Sequence, residues 1–130
     1  MGDYKRMPNE MGGSATTSPK DVPAAMESLV TGYERAAAGR RLGIEDLAAF
    51  HVSFERIHPF QDGIGRVGRL LLLKECLRHD IVPFVVGEDL KLFYYRGLKE
   101  RDVAPGYLID TLLTAQDRFK AALDYFEIAY

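Results

Sequence analysis

A chain of 130 residues with 47% hydrophobic content is sized for one domain with one core. A formal net charge of −2 and a pI near 5.9 argue against nucleic-acid binding through bulk positive charge. Nothing resembles a signal peptide or a membrane span, and the single cysteine, Cys76, allows no internal disulfide, which suits a reducing, cytoplasmic compartment.

Residues 1–20 carry Gly2, Pro8, Gly12, Gly13 and Pro19 among polar residues and lack helical periodicity, so on composition they read as an irregular chain end. Asp21 can cap a helix whose first turn holds Pro23 and whose apolar face is Val22, Met26, Leu29, Val30 and Tyr33. Gly39 is the expected stop, and Arg40 and Arg41 read as a solvated loop. A second helix is predicted from about Ile44 to Ile57, with Leu47, Phe50, Phe54 and Ile57 inward and His51 as a packed core histidine. A third, from about Gly65 to His79, holds four consecutive leucines, 70–73, and Cys76; it is too short to span a membrane and reads as a central buried helix. Residues 81–86 are β-branched around Pro83 and read equally as strand or connector. Helical spacing returns over 88–102, with Leu90, Phe93, Tyr94, Gly97 and Leu98. From Pro105 a long helix follows, with Leu108, Leu112, Phe119, Leu123 and Phe126 on one side. The class is therefore all-α.

The chemistry concentrates between His58 and Arg69. Gly63 and Gly65 stand at the entrance of the third helix, where glycine lets successive N–H groups converge and the helix dipole is positive, which makes an anion site. Arg66 and Arg69 share one face of the first turns, where bare cations are disfavoured, so an anion or carboxylate is expected between them. Gly68 costs roughly 1 kcal/mol against alanine inside a helix, which implies a close approach to the backbone there. Asp62 would repel a phosphate unless a cation such as Mg2+ bridges the two. His58 precedes Pro59, which biases it out of the helical region and frees it to face the same pocket. Together these are the parts of a phosphoryl- or nucleotidyl-transfer site.

The stretch His58-Pro59-Phe60-Gln61-Asp62-Gly63-Ile64-Gly65-Arg66-Val67-Gly68-Arg69 resembles the signature of Fic-domain proteins, H-P-F-x-[D/E]-G-N-G-R-x-x-R, at every defining position but one. Phe54-Glu55-Arg56-Ile57 is similar to the family's lead-in, and Tyr94-Tyr95 to its paired tyrosines. The resemblance implies one Fic domain over 1–130, with a flap region at 1–20 and a helical core at 21–130. It leaves open that the chain is part of a longer one. It implies a β-hairpin flap with arms Tyr4 to Arg6 and Glu10 to Gly12 and a turn at Pro8-Asn9, along which a target protein docks by strand pairing.

It further implies transfer of AMP from ATP, with Mg2+, to a Ser, Thr or Tyr hydroxyl. His58 is then the base, Asp62 holds the metal, and the amides of Gly63, Ile64 and Gly65 take charge on the α-phosphate. Arg66 and Arg69 hold the outer phosphates, and Phe60 anchors the loop. Met11, Gly12, Gly13 and Ser14 close over the nucleotide, and Tyr94, Tyr95 and Asp102 lie near base and ribose. The departure is Ile64 in place of asparagine. Its side chain cannot hydrogen-bond phosphate, and it would be strained if the position needed a positive φ. Two alternatives follow: transfer of another phosphate-containing group, and a weakened or inactive nucleotide-binding or regulatory module. No inhibitory [S/T]-x-x-x-E-[G/N] helix stands in a suitable place, so an inhibitor would be a separate chain, a segment outside this sequence, or absent. Neither nucleic acid nor membrane is an expected partner.

Overall fold

The computed structural model describes residues 3–11, 14–60 and 64–126, with the backbone alone at Met11, Ser14, Ile64 and Gly65. Two short strands, β1 (Glu10–Met11) and β2 (Ser14–Ala15), pair antiparallel as Glu10 with Ala15 and Met11 with Ser14. The expected arms are therefore shifted: Tyr4 to Arg6 forms no strand, and Pro8-Asn9 is not the turn. Gly12 and Gly13, which stand between the two strands in sequence, lie outside the described residues. The ladder stops at these two pairs, and a covering flap is not among the described features.

The remaining described elements are helical: α1 (Val22–Gly39), α2 (Ile44–Ile57), α3 (Ile64–Arg78), α4 (Lys91–Lys99) and α5 (Gly106–Tyr125). Among the described residues no helix is long and apolar enough to cross a membrane. Contacts divide the chain into two units, residues 1–72 and 73–130, with the division inside α3.

In the first unit a 3-10 turn, Pro19–Asp21, runs straight into α1. Asp21 consequently has helical backbone angles (φ −95°, ψ −9°) and makes no capping bond, because a side-chain cap needs an extended residue that can fold back. Val22 and Met26 of α1 pack with Phe54 and Ile57 of α2, and Phe60, Val67 and Leu71 close around them. Phe60 thus anchors the segment after α2. Val30, expected on the inner face, is exposed, while Tyr33 packs on Phe50 with ring centroids 4.5 Å apart. At the start of α2 the Gly43 N–H donates to Asp46 Oδ2 at 2.9 Å, and Arg40 grips both oxygens of the same carboxylate.

The central helix is not buried all round. Leu72 and Cys76 are inside, but Leu70, Leu73 and Leu77 are 64%, 38% and 63% exposed. Four consecutive leucines cannot share a face when each residue turns the helix by about 100°. α3 ends as its sequence suggests: Asp80 takes the left-handed region (φ 56°), and the Ile81 N–H reaches back to the Cys76 carbonyl at 2.9 Å.

In the second unit residues 81–87 form a connector without strand structure, tied to α5 where Gln116 Nε2 donates to the Val82 carbonyl. α4 and α5 pack through Tyr94, Leu98, Leu108 and Leu112. They cross closely at Gly97, where an added Cβ would stand 2.7 Å from Leu108 Cα. Phe93, expected inward, is exposed.

Candidate active site

The site begins where α2 ends. His58 leaves the helix in the left-handed region (φ 48°, ψ 62°) while its N–H still bonds the Phe54 carbonyl at 3.0 Å. Pro59 explains the abrupt exit, since proline disfavours right-handed helix in the residue before it. The imidazole is half-buried, and its Nδ1 is buried with no hydrogen-bond partner among the described residues. Burial lowers its pKa below the usual histidine value; the Glu55 backbone carbonyl works the other way, and the nearby Lys5 charge lowers it further. The neutral ring, the form that accepts a proton, is the favoured one.

The turn carrying His58 is held from the N-terminal segment. The Thr17 N–H donates to the Arg56 carbonyl (3.3 Å) and the Lys5 N–H to the Pro59 carbonyl (2.7 Å). Lys5 Nζ donates to the Ile57 carbonyl (3.2 Å), and Asn9 Nδ2 to the carbonyls of His58 (3.5 Å) and Phe60 (3.1 Å). Lys5 itself is only 4% exposed, and its ammonium also donates to Asn9 Oδ1 (2.6 Å) and Thr16 Oγ1 (2.9 Å).

α3 starts at Ile64, which puts Arg66 and Arg69 in its first two turns. Ile64 opens a right-handed helix, so the strain expected of a β-branched residue at positive φ does not arise; what differs from asparagine is the missing polar side chain. Arg66 is exposed and Arg69 half-buried, and neither has an ion-pair partner within 4 Å among the described residues. Asp62 and Gly63 lie outside the described residues, as do Gly12 and Gly13.

Beneath Arg69 lies a pair that sequence reasoning did not identify as part of the site. His51 and Glu55, one turn apart on the inner face of α2, are 1% and 4% exposed, with Nε2 and Oε1 3.7 Å apart. Burial pushes the Glu55 carboxyl up to about 7, and the Arg69 guanidinium pulls it back down. Burial also takes His51 down to about 4; Arg69 adds to that, and the Gly68 carbonyl opposes it. A Cβ on Gly68 would stand 2.4 Å from Glu55 Oε1 and 3.2 Å from His51 Cε1. The close approach expected at Gly68 is therefore made by this pair, and the Glu55 carboxyl interacts electrostatically with Arg69. The available signal was an acid placed four residues after a histidine on an apolar face, followed by a glycine inside the next helix. Lys5 and Asn9 had no such signal.

In the second unit Tyr94 is buried at 2% exposure, Tyr95 is half exposed with its ring centroid 5.4 Å from that of Tyr94, and Asp102 is exposed in the turn after α4. Met11 and Ser14 are the inner residue pair of the β1–β2 ladder. Among the described residues no group of three His, Cys, Asp or Glu side chains could hold a metal. Mg2+ needs no such cage, since one or two carboxylates and substrate phosphates suffice. In sequence, the Asp62 carboxylate and the Arg66 and Arg69 guanidinium groups fit that donor set and a polyphosphate.

The Fic/DOC family model matches residues 2–76, more than half of the chain, and the protein belongs to that family. It is similar to two curated relatives named protein adenylyltransferase Fic, from Drosophila melanogaster and Drosophila grimshawi. Each is 27% identical over 107 residues, covering 80% of this chain and 22% of the relative. It is also similar to the crystal structure of a Fic domain containing signaling protein from Bacteroides thetaiotaomicron, with a TM-score of 0.71 and 32% identity over 96% of this chain and 49% of that one. The chain thus spans about a fifth of the length of those curated relatives and about half of that solved structure.

Proposed function

We propose that the protein transfers AMP from ATP to a serine, threonine or tyrosine hydroxyl of a target protein. The observation that carries the reading is His58: a half-buried imidazole kept neutral by its surroundings, fixed in a left-handed turn six residues before a helix start with two arginines. The relatives' name, protein adenylyltransferase, supports the same reaction.

In that reaction the hydroxyl oxygen bonds to the α-phosphorus, the bond from that phosphorus to the pyrophosphate oxygen breaks, and the hydroxyl proton passes to His58. A neutral ring, favoured by burial and by the Lys5 charge, suits the task. The N–H groups at the start of α3 would take the charge growing on the α-phosphate, where donors fixed in advance contribute most. Arg66 and Arg69 would grip the outer phosphates. Asp62 would hold Mg2+, which neutralises charge between phosphates. The reading extends to Met11 through Ser14 closing over the nucleotide, Tyr94, Tyr95 and Asp102 at base and ribose, and a target segment along β1–β2. It includes one domain over 1–130, supported by a likeness to the Bacteroides structure that covers 96% of the chain, and a cytoplasmic location, which the single cysteine suits.

The test is incubation with labelled ATP and Mg2+, followed by detection of AMP on the protein itself or on lysate proteins. His58→Ala should lower transfer by about 10²–10⁴-fold and leave ATP affinity by calorimetry nearly unchanged; a large loss of affinity would make His58 a binding group instead. Label from the γ-position of ATP on the product would favour phosphate transfer.

Ile64 favours a second reading, a module that binds nucleotide and transfers slowly. On that reading Ile64→Asn raises single-turnover labelling while ATP affinity changes less, because the gain belongs to the transition state. Equal activity of both forms makes the asparagine dispensable here. If both bind Mg–ATP and neither transfers, the non-catalytic reading moves ahead.

A further inference from the structure

We propose that Lys5 and Asn9 are positioning residues for His58, holding the turn that aims its imidazole through the backbone carbonyls on either side of it. The inference rests on the reading of His58 as the base. Its geometry stands apart from that reading.

Five successive carbonyls, from Arg56 to Phe60, accept hydrogen bonds from residues 5–17. Lys5 and Asn9 supply four of the donors, alternating along the chain. The carbonyls at a helix C-terminus lose their internal partners, and Pro59 brings no N–H of its own, so the turn cannot satisfy itself. A left-handed backbone is also unfavourable for a residue with a Cβ, and persists when the surroundings fix it. His58 meets both conditions.

Lys5 is an unusual choice for structural support alone. A buried ammonium is costly, and its three hydrogens go to neutral acceptors, Asn9 Oδ1, Thr16 Oγ1 and the Ile57 carbonyl. No carboxylate pairs with it among the described residues. What the cation adds beyond hydrogen bonds is its field on His58, which favours the neutral ring. Lys5 and Asn9 precede β1 and Thr16 follows β2, so the network also ties the strand pair to the turn that carries the base.

The test follows the His58 ring by NMR titration in Lys5→Met, Lys5→Arg and Asn9→Ala, beside thermal melting and labelled-ATP transfer. In Lys5→Met the His58 titration should move to higher pH, and transfer should fall by about 10- to 100-fold in kcat with little change in KM for ATP. Lys5→Arg should restore most of both. Asn9→Ala keeps the cation and loses two carbonyl contacts, so its ring resonances should shift and its transfer fall. That variant decides the matter if Lys5→Met does not fold. A lower melting temperature with unchanged His58 resonances and titration overturns the proposal and leaves the network structural. If the wild-type protein transfers nothing, the adenylyltransferase reading fails, while the titrations still decide whether Lys5 and Asn9 set the ring.

Discussion

Two helices of this protein have a glycine in the middle where a side chain would not fit, and the two reasons differ. At Gly97 the obstacle is backbone: Leu108 Cα would be 2.7 Å and Leu108 N 2.9 Å from an added Cβ. At Gly68 it is the tip of an acid, Glu55 Oε1, with the His51 ring behind it. The first glycine lets α4 and α5 cross closely over an apolar core. The second makes room in the first unit for a buried ionisable pair below a motif arginine. Alanine would gain about 1 kcal/mol of helix propensity at either place, so what each glycine accommodates offsets that much.

Gly97→Ala should have the largest effect. Backbone cannot step aside, so the helices must separate, and overpacking of this kind costs about 1–3 kcal/mol or more. Chemical denaturation measures it; a loss below the helix-propensity gain would mean that the crossing is loose.

Glu55→Gln comes next and is read against pH. Glu55 titrates near 7 in the folded chain against 4.5 for the free group, so the fold binds its proton more tightly. Stability from Glu55 is complete below about 4.5 and is lost as pH rises through 7. His51 runs oppositely: with its pKa taken from 6.5 to about 4, its stability is present above 6.5 and lost as pH falls through 4. The two slopes oppose each other between about 4.5 and 6.5, so the wild-type curve should be flat there and fall above 6.5. Glu55→Gln should abolish the fall, with a gain on the order of 1–3 kcal/mol at pH 8, and unmask a rise with pH between 4 and 6.5. Identical pH profiles for both forms would mean that Glu55 is ionised without penalty.

Gly68→Ala should have the smallest effect on stability, within about 1 kcal/mol of wild type, because a carboxylate tip moves more easily than a backbone. The sharper measurement is a cycle with Glu55→Ala. The shortened side chain removes the obstacle, so the double variant should be more stable than the sum of the singles by about 0.5–3 kcal/mol. Additive effects would place the obstacle elsewhere.

The features legible in the sequence were those with local grammar. Periodicity marked the five helices, including the end of α3 near His79, and His58-Pro59 marked the end of α2. Gly68 even announced that something lay against it. What lay against it was illegible, because Glu55 stands thirteen residues earlier on another helix and is the kind of residue that periodicity assigns to the surface. The network from Lys5 and Asn9 was further out of reach: it joins side chains to backbone carbonyls some fifty residues away, and carbonyls have no letter in a sequence. The leucine run in α3 misled for the opposite reason, since local apolarity says nothing about which side of a helix is covered.

Cys76 gives the protein a clock of its own. It is the single cysteine of the chain, fully buried, and burial together with the Glu75 carboxylate raises its thiol to about 11. The thiolate is the reactive form, so a folded molecule at neutral pH barely consumes a thiol reagent. Each modification therefore counts an opening of the helix around Cys76. When closing is faster than labelling, the rate reports the free energy of that opening. An untagged sample and one reagent would show whether the nucleotide proposed to bind at the head of α3 is felt twelve residues along it.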